Sequence, residues 1–181
     1  MVRSIRIDVL APPAEDGLVE LTTWSSGRAS IAASRRLSLA GDRGGRVELD
    51  SVWVHLAQDA RPARIEDFGP YAESAGDRVV STRLELQAPG EGALRTAWPL
   101  RATDLDVLGH VNNAAYWHAV EHRLCEGAID VRRPFRARLD YRHPLDLGDS
   151  VELREASADG KLTLAFTVGR QDRAVGRVEQ L

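Results

Sequence analysis

One stretch of the sequence has helical spacing and stands among stretches with alternating apolar residues, and this contrast restricts the fold more than any other feature. Its apolar residues recur about once per helical turn: Tyr116, Val120 and Leu124. The pattern predicts a helix that begins at Asn112 or Asn113, since either side chain can cap it, and that ends at a left-handed Gly127. The rest of the chain indicates strands and turns, so the expected fold class is α+β.

The strands are predicted from apolar residues that alternate with polar ones. Those of the first half lie at residues 5–9, 18–24, 29–39 and 46–56. A less regular stretch with two prolines follows, and we expect a linker with one helical turn near Ile65. Those of the second half lie at residues 79–86, 94–101, 135–142, 150–155, 161–168 and 173–179.

Two parts of the chain match at a constant offset, which indicates an internal repeat. Residues 7–9 (Ile-Asp-Val) parallel residues 139–141 (Leu-Asp-Tyr), and residues 19–21 parallel residues 151–153, with Val-Glu-Leu in both. A strand and the helix precede the second copy, whereas the chain begins at the first. We therefore expect a partial repeat with its linker at 1–77 and a complete repeat at 78–181, with either a start codon upstream of Met1 or a shortened form of the protein.

Charge and composition argue against several classes of protein. The net charge is −3, with 24 Lys+Arg against 27 Asp+Glu, and this balance gives no support for a nucleic-acid partner. The longest apolar runs are short and interrupted by charge, so no membrane span is expected. The amino-terminal residues alternate instead of forming the apolar core of a signal peptide. Cys125 has no partner for a disulfide within the chain, and we expect a cytoplasmic protein.

The segment TDLDVLGHVNNAAY, residues 103–116, leads into the helix and concentrates residues that can do chemistry. Asp106 lies in the predicted turn between a strand and the helix, where a carboxylate can act as a base or a nucleophile. Gly109 and His110 follow, and the amino end of a helix presents unpaired N–H groups that suit a polarised carbonyl oxygen. This combination suits attack on a carbonyl carbon with stabilisation of the oxyanion that develops.

The same segment, within WPLRATDLDVLGHVNNAAYWHAVEH, resembles the GHVNN-centred signature of the hotdog thioesterases. Together with Trp24, Arg35-Arg36 and Trp53 it is similar to the acyl-ACP thioesterases, which carry two hotdog repeats in one chain. The resemblance implies a tandem (double) hotdog fold whose first repeat lacks its initial strand and helix. It also implies an enzyme of fatty acid biosynthesis that releases free fatty acid from an acyl thioester of acyl carrier protein or CoA.

The resemblance and the local chemistry together assign catalytic roles to Asp106 and His110. Asp106 would activate water or attack the thioester directly, and His110 would assist. Substrate-binding roles are expected for four neighbours: Gly109, Asn112, Asn113 and Tyr116. Structural roles stay open beside these, because His110 can brace the turn, the asparagines can cap the helix and Tyr116 can belong to the core. Asp104 is expected to cap the turn rather than to catalyse.

No cofactor is expected, because the Cys and His residues lack the spacing of metal ligands and the sequence has no glycine-rich phosphate loop. Hotdog sheets normally pair, so a homo-oligomer is expected.

Three positions depart from the pattern of plant-type acyl-ACP thioesterases. Leu108 stands where the family has an asparagine, and Pro144 and Leu145 stand where it places a glutamate or cysteine. These side chains cannot do acid–base or nucleophilic work, so the expected mechanism uses one aspartate and is centred on Asp106, as in simpler single-hotdog thioesterases. Two alternatives stay open: a non-catalytic hotdog protein that binds acyl chains or acyl carriers, and a truncated gene-model fragment with no independent function.

Overall fold

The computed structural model describes residues 1–107 and 109–181 and divides the chain into two compact units. Unit 1 comprises Met1–Leu84 with Arg132–Pro134, and unit 2 comprises Glu85–Val131 with Phe135–Leu181. Leu108, which stands where the plant-type family has its asparagine, lies outside the described residues.

All residues of unit 1 are described, and they form four antiparallel strands in the order β2-β3-β4-β1. The strands are β1 Val2–Ala11, β2 Val19–Ala29, β3 Ala32–Gly41 and β4 Arg46–Val54. They lie where the alternation predicts strands. The turn between β3 and β4 contains Gly44 with a φ of +88°, a conformation that glycine adopts without strain.

The short helix of unit 1 lies later in the chain than predicted. The sequence predicts a helical turn near Ile65, but Ile65 is not helical, and its N–H donates to the Ser30 carbonyl at 2.8 Å. Helix α1 spans Tyr71–Ala75 instead and begins directly after Pro70, whose fixed φ and missing N–H suit the start of a helix. The predicted position is therefore wrong.

Within its described residues, unit 2 has five antiparallel strands in the order β6-β9-β8-β7-β5. The strands are β5 Leu94–Ala97, β6 Phe135–Tyr141, β7 Val151–Ala158, β8 Lys161–Val168 and β9 Gln171–Gln180. Helix α2, Ala115–Cys125, lies between β5 and β6. The predicted succession of strand, helix and four strands is confirmed. In the described part of the chain, no helix is long and apolar enough to cross a membrane.

Helix α2 ends as predicted but begins differently. Gly127 has a φ of +85°, and its N–H donates to the Leu124 carbonyl at 3.0 Å, so the left-handed glycine closes the helix. At the other end the cap is Ala114, which provides no side-chain hydrogen bond. Asn112 accepts the Ala114 N–H through Oδ1 at 2.9 Å and thereby closes a turn before the helix. The predicted capping by Asn112 or Asn113 is wrong.

The core of unit 2 lies between α2 and the inner face of the strands. The Tyr116 ring on α2 lies 5.0 Å from the Phe166 ring on β8 and 5.3 Å from the Tyr141 ring on β6, measured between centroids. Trp98 packs edge-on against Phe166 at 4.8 Å. Such aromatic pairs contribute about 0.5–1.5 kcal/mol each beyond the burial of their surface. The cluster holds the amino end of α2 against the sheet.

The strand predicted at residues 79–86 is not found in the described structure. Val79 makes an isolated bridge to Arg28, and the N–H groups of Glu85 and Leu86 donate to the Asp140 carboxylate at 2.8 Å and 2.9 Å. Asp140 lies on β6 and is fully buried. A side chain thus replaces the carbonyl groups that a neighbouring strand would supply, and alternation along the sequence does not reveal such a partner.

Candidate active site

A tight turn between residues 104 and 112 brings Asp106 and His110 together. The Asp106 N–H donates to the His110 carbonyl at 2.8 Å, and the Asp106 carbonyl accepts the Gly109 N–H at 3.1 Å. The Asp106 carboxylate accepts the His110 N–H through Oδ1 at 3.2 Å. Gly109 has a φ of +82°, and among the described residues no atom beyond its chain neighbours lies within 4 Å of the place where a Cβ would stand. Its backbone conformation, rather than a close contact, is the reason for glycine here.

Asp104 braces the beginning of this turn. Its carboxylate is buried, and it accepts the Arg101 backbone N–H at 2.9 Å and the Arg101 guanidinium Nη2 at 2.8 Å. The hydrogen bond from the Arg101 side chain lowers the pKa of Asp104 below its ordinary value. The Asp104 carbonyl accepts the Asn112 N–H at 2.7 Å. Asp104 therefore accepts hydrogen bonds from a residue before the turn and from a residue at its end. This capping role is the one that the sequence predicts.

Most N–H groups at the amino end of α2 already have acceptors within the protein. The donors with partners are Gly109, His110, Val111, Asn112, Ala114 and Ala115. Within residues 1–107 and 109–181, no acceptor is found for the N–H of Asn113. The Asn113 carbonyl accepts the Tyr141 hydroxyl at 3.0 Å, which anchors the peptide group that follows this N–H. Of the donors that precede α2, the Asn113 N–H is thus the one for which residues 1–107 and 109–181 provide no acceptor, and within α2 the same holds for the Tyr116 N–H.

His110 has an acidic partner from outside the turn. Its Nδ1 lies 2.7 Å from Oδ1 of Asp146. An ionised carboxylate only accepts hydrogen bonds, so Nδ1 carries a proton in this contact, and Nε2 keeps its lone pair when the ring is neutral. Sequence reasoning missed Asp146. The available signal was an acidic residue directly after Leu145, close to the position where the resembled family has its acid.

The structure separates the predicted site residues into two groups. Those gathered in the turn are Asp106, Gly109, His110, Asn112 and Asn113. Tyr116 lies instead among packed aromatic rings, and burial raises the pKa of its hydroxyl well above the ordinary value. This position favours the packing role left open for Tyr116. No three or more His, Cys, Asp or Glu side chains of the described residues are grouped so as to hold a metal ion.

Unit 1 contains a cavity of about 540 Å³. Most of its lining is apolar: Ala33, Trp53, Ile65, Phe68 and Tyr71. The other four lining residues are polar: Ser25, Ser34, Arg35 and Asp67. The Arg35 guanidinium has its central carbon 5.9 Å from the centroid of the Tyr71 ring. The cavity is half-open to solvent, and its volume is large enough to accommodate a small molecule.

Two comparisons at the level of sequence found relatives, and the first of them gives the family. The profile of the acyl-ACP thioesterase C-terminal domain matches residues 88–178, half of the chain, including the turn and α2. An uncharacterized protein of Mycobacterium tuberculosis is 30% identical over 178 residues, which cover 97% of this chain and 71% of that protein.

Solved structures share the fold. The 12:0-ACP thioesterase from Umbellularia californica has a TM-score of 0.81 at 20% identity, covering 100% of this chain and 74% of that one. An acyl-ACP thioesterase from Bacteroides thetaiotaomicron has a TM-score of 0.80 at 14% identity, covering 99% and 75%. These similarities show a hotdog-type fold, in agreement with the large antiparallel arrangement and few helices seen here. With the profile match over the turn and α2, the chain belongs to the acyl-ACP thioesterase family.

Proposed function

We propose that this chain is a thioester hydrolase that releases free fatty acid from an acyl thioester of acyl carrier protein or CoA. The observation that carries the proposal is the turn in which the Asp106 carboxylate and His110 are held together just before α2. Membership of the acyl-ACP thioesterase family supports it. With acyl carrier protein as the carrier, the reaction would remove a product of fatty acid biosynthesis.

Asp106 is the proposed base. It would take a proton from water while the water oxygen adds to the thioester carbonyl carbon. The C–S bond then breaks, the carbonyl re-forms as a carboxylic acid, and the proton passes to the leaving thiolate. Direct attack by the Asp106 carboxylate, through an anhydride that water hydrolyses, would give the same acid and thiol. His110 would assist in either route.

The Asn113 N–H is the proposed donor to the oxyanion. It is the backbone donor before α2 for which the described residues provide no acceptor, and it lies at the positive end of the helix dipole. The exposed Asn112 and the left-handed Gly109 would border the bound thioester. Tyr116 would act from the core, by holding the beginning of α2 in place.

The test is an assay of thiol release. Purified protein is mixed with acyl-ACP and acyl-CoA substrates of several chain lengths, and the wild type is compared with Asp106→Asn. We expect release by the wild type and a fall in kcat of about 10²–10⁴-fold in the variant, since this is the usual contribution of a general base. Asp159→Asn is the matched control, because Asp159 lies on an exposed turn with a φ of +52°, which asparagine tolerates.

Two results would count against the proposal. A folded wild-type sample that releases no thiol above background from any substrate would overturn the enzymatic function. Equal rates for the wild type and Asp106→Asn would overturn the role of Asp106 and leave the hydrolase without its proposed base.

A second candidate function is the binding of acyl chains without catalysis, and the cavity of unit 1 favours it. The amount of bound fluorescent fatty acid would then rise with the protein concentration, and unlabelled fatty acid would displace it. Ala33→Phe would place a ring in the cavity and weaken binding, whereas Ala14→Phe, on an exposed loop, would not. Binding without thiol release would favour this candidate. Equal binding by both variants would show that the cavity is not the binding site.

We further propose that the two units are the two repeats of a tandem hotdog, divided near the expected boundary between 1–77 and 78–181. The strand order β2-β3-β4-β1 in unit 1 corresponds to β7-β8-β9-β6 in unit 2. The pair Arg6–Asp8 on β1 also corresponds to Arg138–Asp140 on β6. Unit 1 has no counterpart of α2 within its residues, all of which are described. A crystal structure in which the strands of the two units follow different orders would contradict the proposed repeat.

We also propose a homo-oligomer in the cytoplasm. Hotdog sheets pair so that two long helices are enclosed, and among the described residues this chain contributes α2 alone as a long helix. A second copy would supply the other. The location fits a chain with a single cysteine. Light scattering should give the mass of a dimer or larger, and a monomer across the accessible concentration range would contradict the proposal.

A further inference from the structure

We infer that Asp146 is a positioning residue of the proposed active site and sets the tautomer and ring orientation of His110. The inference rests on the proposed thioester hydrolysis and assigns a role to a residue that the family pattern does not provide. Its basis is the 2.7 Å contact between Oδ1 of Asp146 and Nδ1 of His110.

Backbone hydrogen bonds between the two segments place His110 and Asp146 opposite each other. His110 and Asp146 form an isolated antiparallel bridge, and the adjacent Val111 N–H donates to the Leu145 carbonyl at 2.8 Å. Val111 is 5% exposed and Leu145 is fully buried, so both flanking residues are anchored in the core. The pairing of residues 111 and 145 therefore determines that residues 110 and 146 face each other.

This geometry gives a structural role to one of the two positions, 144 and 145, at which the chain departs from the family pattern. Pro144 and Leu145 remove the glutamate or cysteine that plant-type relatives carry at this point. Leu145, however, supplies the buried anchor and the carbonyl that place Asp146 next to His110. An acidic partner is thus supplied by the residue that directly follows the substituted pair.

The loop that carries Asp146 does not depend on the Asp146 carboxylate. The Asp146 N–H donates to Oδ2 of Asp149 at 3.0 Å, and the Asp146 carbonyl accepts the Asp149 N–H at 2.9 Å. Both bonds use main-chain atoms of Asp146. A substitution at Asp146 should therefore leave the loop in place and remove only the contact to His110.

The contact assigns a function to each nitrogen of the ring. Nδ1–H donates to Asp146, so Nε2 presents its lone pair. Nε2 can accept a hydrogen bond from the attacking water while Asp106 takes the other proton of that water. The Asp146 carboxylate holds the ring in this orientation, so that Nε2 stays an acceptor during the attack.

A double-mutant cycle tests whether Asp146 acts through His110. We expect Asp146→Ala to lower kcat by at least about tenfold with little change in KM, and to lose no more than His110→Gln does, since Asp146 has no other route to the reaction. The double variant should be no slower than His110→Gln. Losses that multiply would overturn the inference, because a general structural effect would also slow the enzyme without His110.

Nuclear magnetic resonance of the imidazole nitrogens gives a second measurement that does not depend on turnover. At alkaline pH the wild type should show His110 with the proton on Nδ1, identified by the signal that His110→Gln removes. Asp146→Ala should shift this ring to a mixture of tautomers. If the wild type lacks turnover but the tautomer of His110 still differs between the wild type and Asp146→Ala, the proposed function fails and the positioning of His110 stands. An unchanged tautomer would overturn the positioning whatever the rates.

The chain offers a matched control. His122 on α2 has its Nε2 3.5 Å from the Glu126 carboxylate, and both side chains are exposed. Glu126→Gln removes a carboxylate beside a histidine without touching the turn. It should leave kcat unchanged, and a loss equal to that of Asp146→Ala would show that the assay responds to charge in general.

Discussion

The Leu86 N–H donates to the carboxylate of Asp140 at 2.9 Å, and the same oxygen accepts the Glu85 N–H. Arg138 Nε donates to the other oxygen at 2.8 Å. Asp140 is fully buried, so three donors compensate for the lost hydration of its charge. One side chain on β6 thereby holds a segment that the sequence predicts to be a strand.

Replacing Asp140 should destabilise the protein. In Asp140→Ala the donors lose their acceptor and Arg138 loses its buried partner, so the free energy of unfolding should fall by about 3–5 kcal/mol. Urea denaturation measures the change, with Asp159→Asn on an exposed turn as the control. A change below about 0.5 kcal/mol, the usual range of surface substitutions, would contradict the role of this carboxylate.

The Arg101–Asp104 pair predicts a difference in acid stability. The Arg101 side chain lowers the pKa of Asp104 below its ordinary value of 3.8, so the folded state favours the ionised form. This contribution is fully present above pH 3.8 and is lost as the pH falls through the lower pKa of the folded state. The Tm difference between wild type and Asp104→Asn should therefore be largest near neutral pH and shrink in acid. A difference that stays constant into strong acid would argue against the pair.

Burial of Tyr116 and Tyr141 predicts a loss of stability in alkali. Burial raises the pKa of both hydroxyls well above the ordinary value of 10.0, whereas the unfolded chain releases these protons near that value. Stability is thus unaffected below about pH 10 and falls above it, by about 1.4 kcal/mol per pH unit for each tyrosine. Tyr116→Phe should show a shallower decline in urea midpoints above this pH. Parallel declines for variant and wild type would be inconsistent with a buried phenol.

Gly45 should tolerate no side chain. A Cβ there would lie 2.4 Å from the Cα of Pro13, a backbone atom that cannot move without shifting the loop after β1. Gly45→Ala should lower the free energy of unfolding by about 1–3 kcal/mol through overpacking. Gly92→Ala is the control, since in the described part of the chain no atom beyond its sequence neighbours lies within 4 Å of its Cβ position. Thermal unfolding of the two variants compares them directly, and equal Tm values would show that the loop can adjust.

Local patterns in the sequence were sufficient for much of the fold. The helical spacing of Tyr116, Val120 and Leu124 located α2, and Gly127 ended it, because periodicity and a left-handed glycine act within a few residues of chain. Alternation located the strands of both units for the same reason. The motif around Asp106 and His110 was likewise readable, and the family match agrees with it.

The tertiary structure alone decided the features that depend on residues distant in sequence. Asp146 meets His110 because Val111 and Leu145 pair and are buried, and no spacing within either segment encodes that pairing. Residues 79–86 form no strand in the described structure, and Asp140 on β6 accepts the N–H groups of Glu85 and Leu86 at the end of this segment. The sequence by itself determined the local elements and the segment that forms the turn of Asp106 and His110, whereas packing and long-range hydrogen bonds determined which side chains surround that turn.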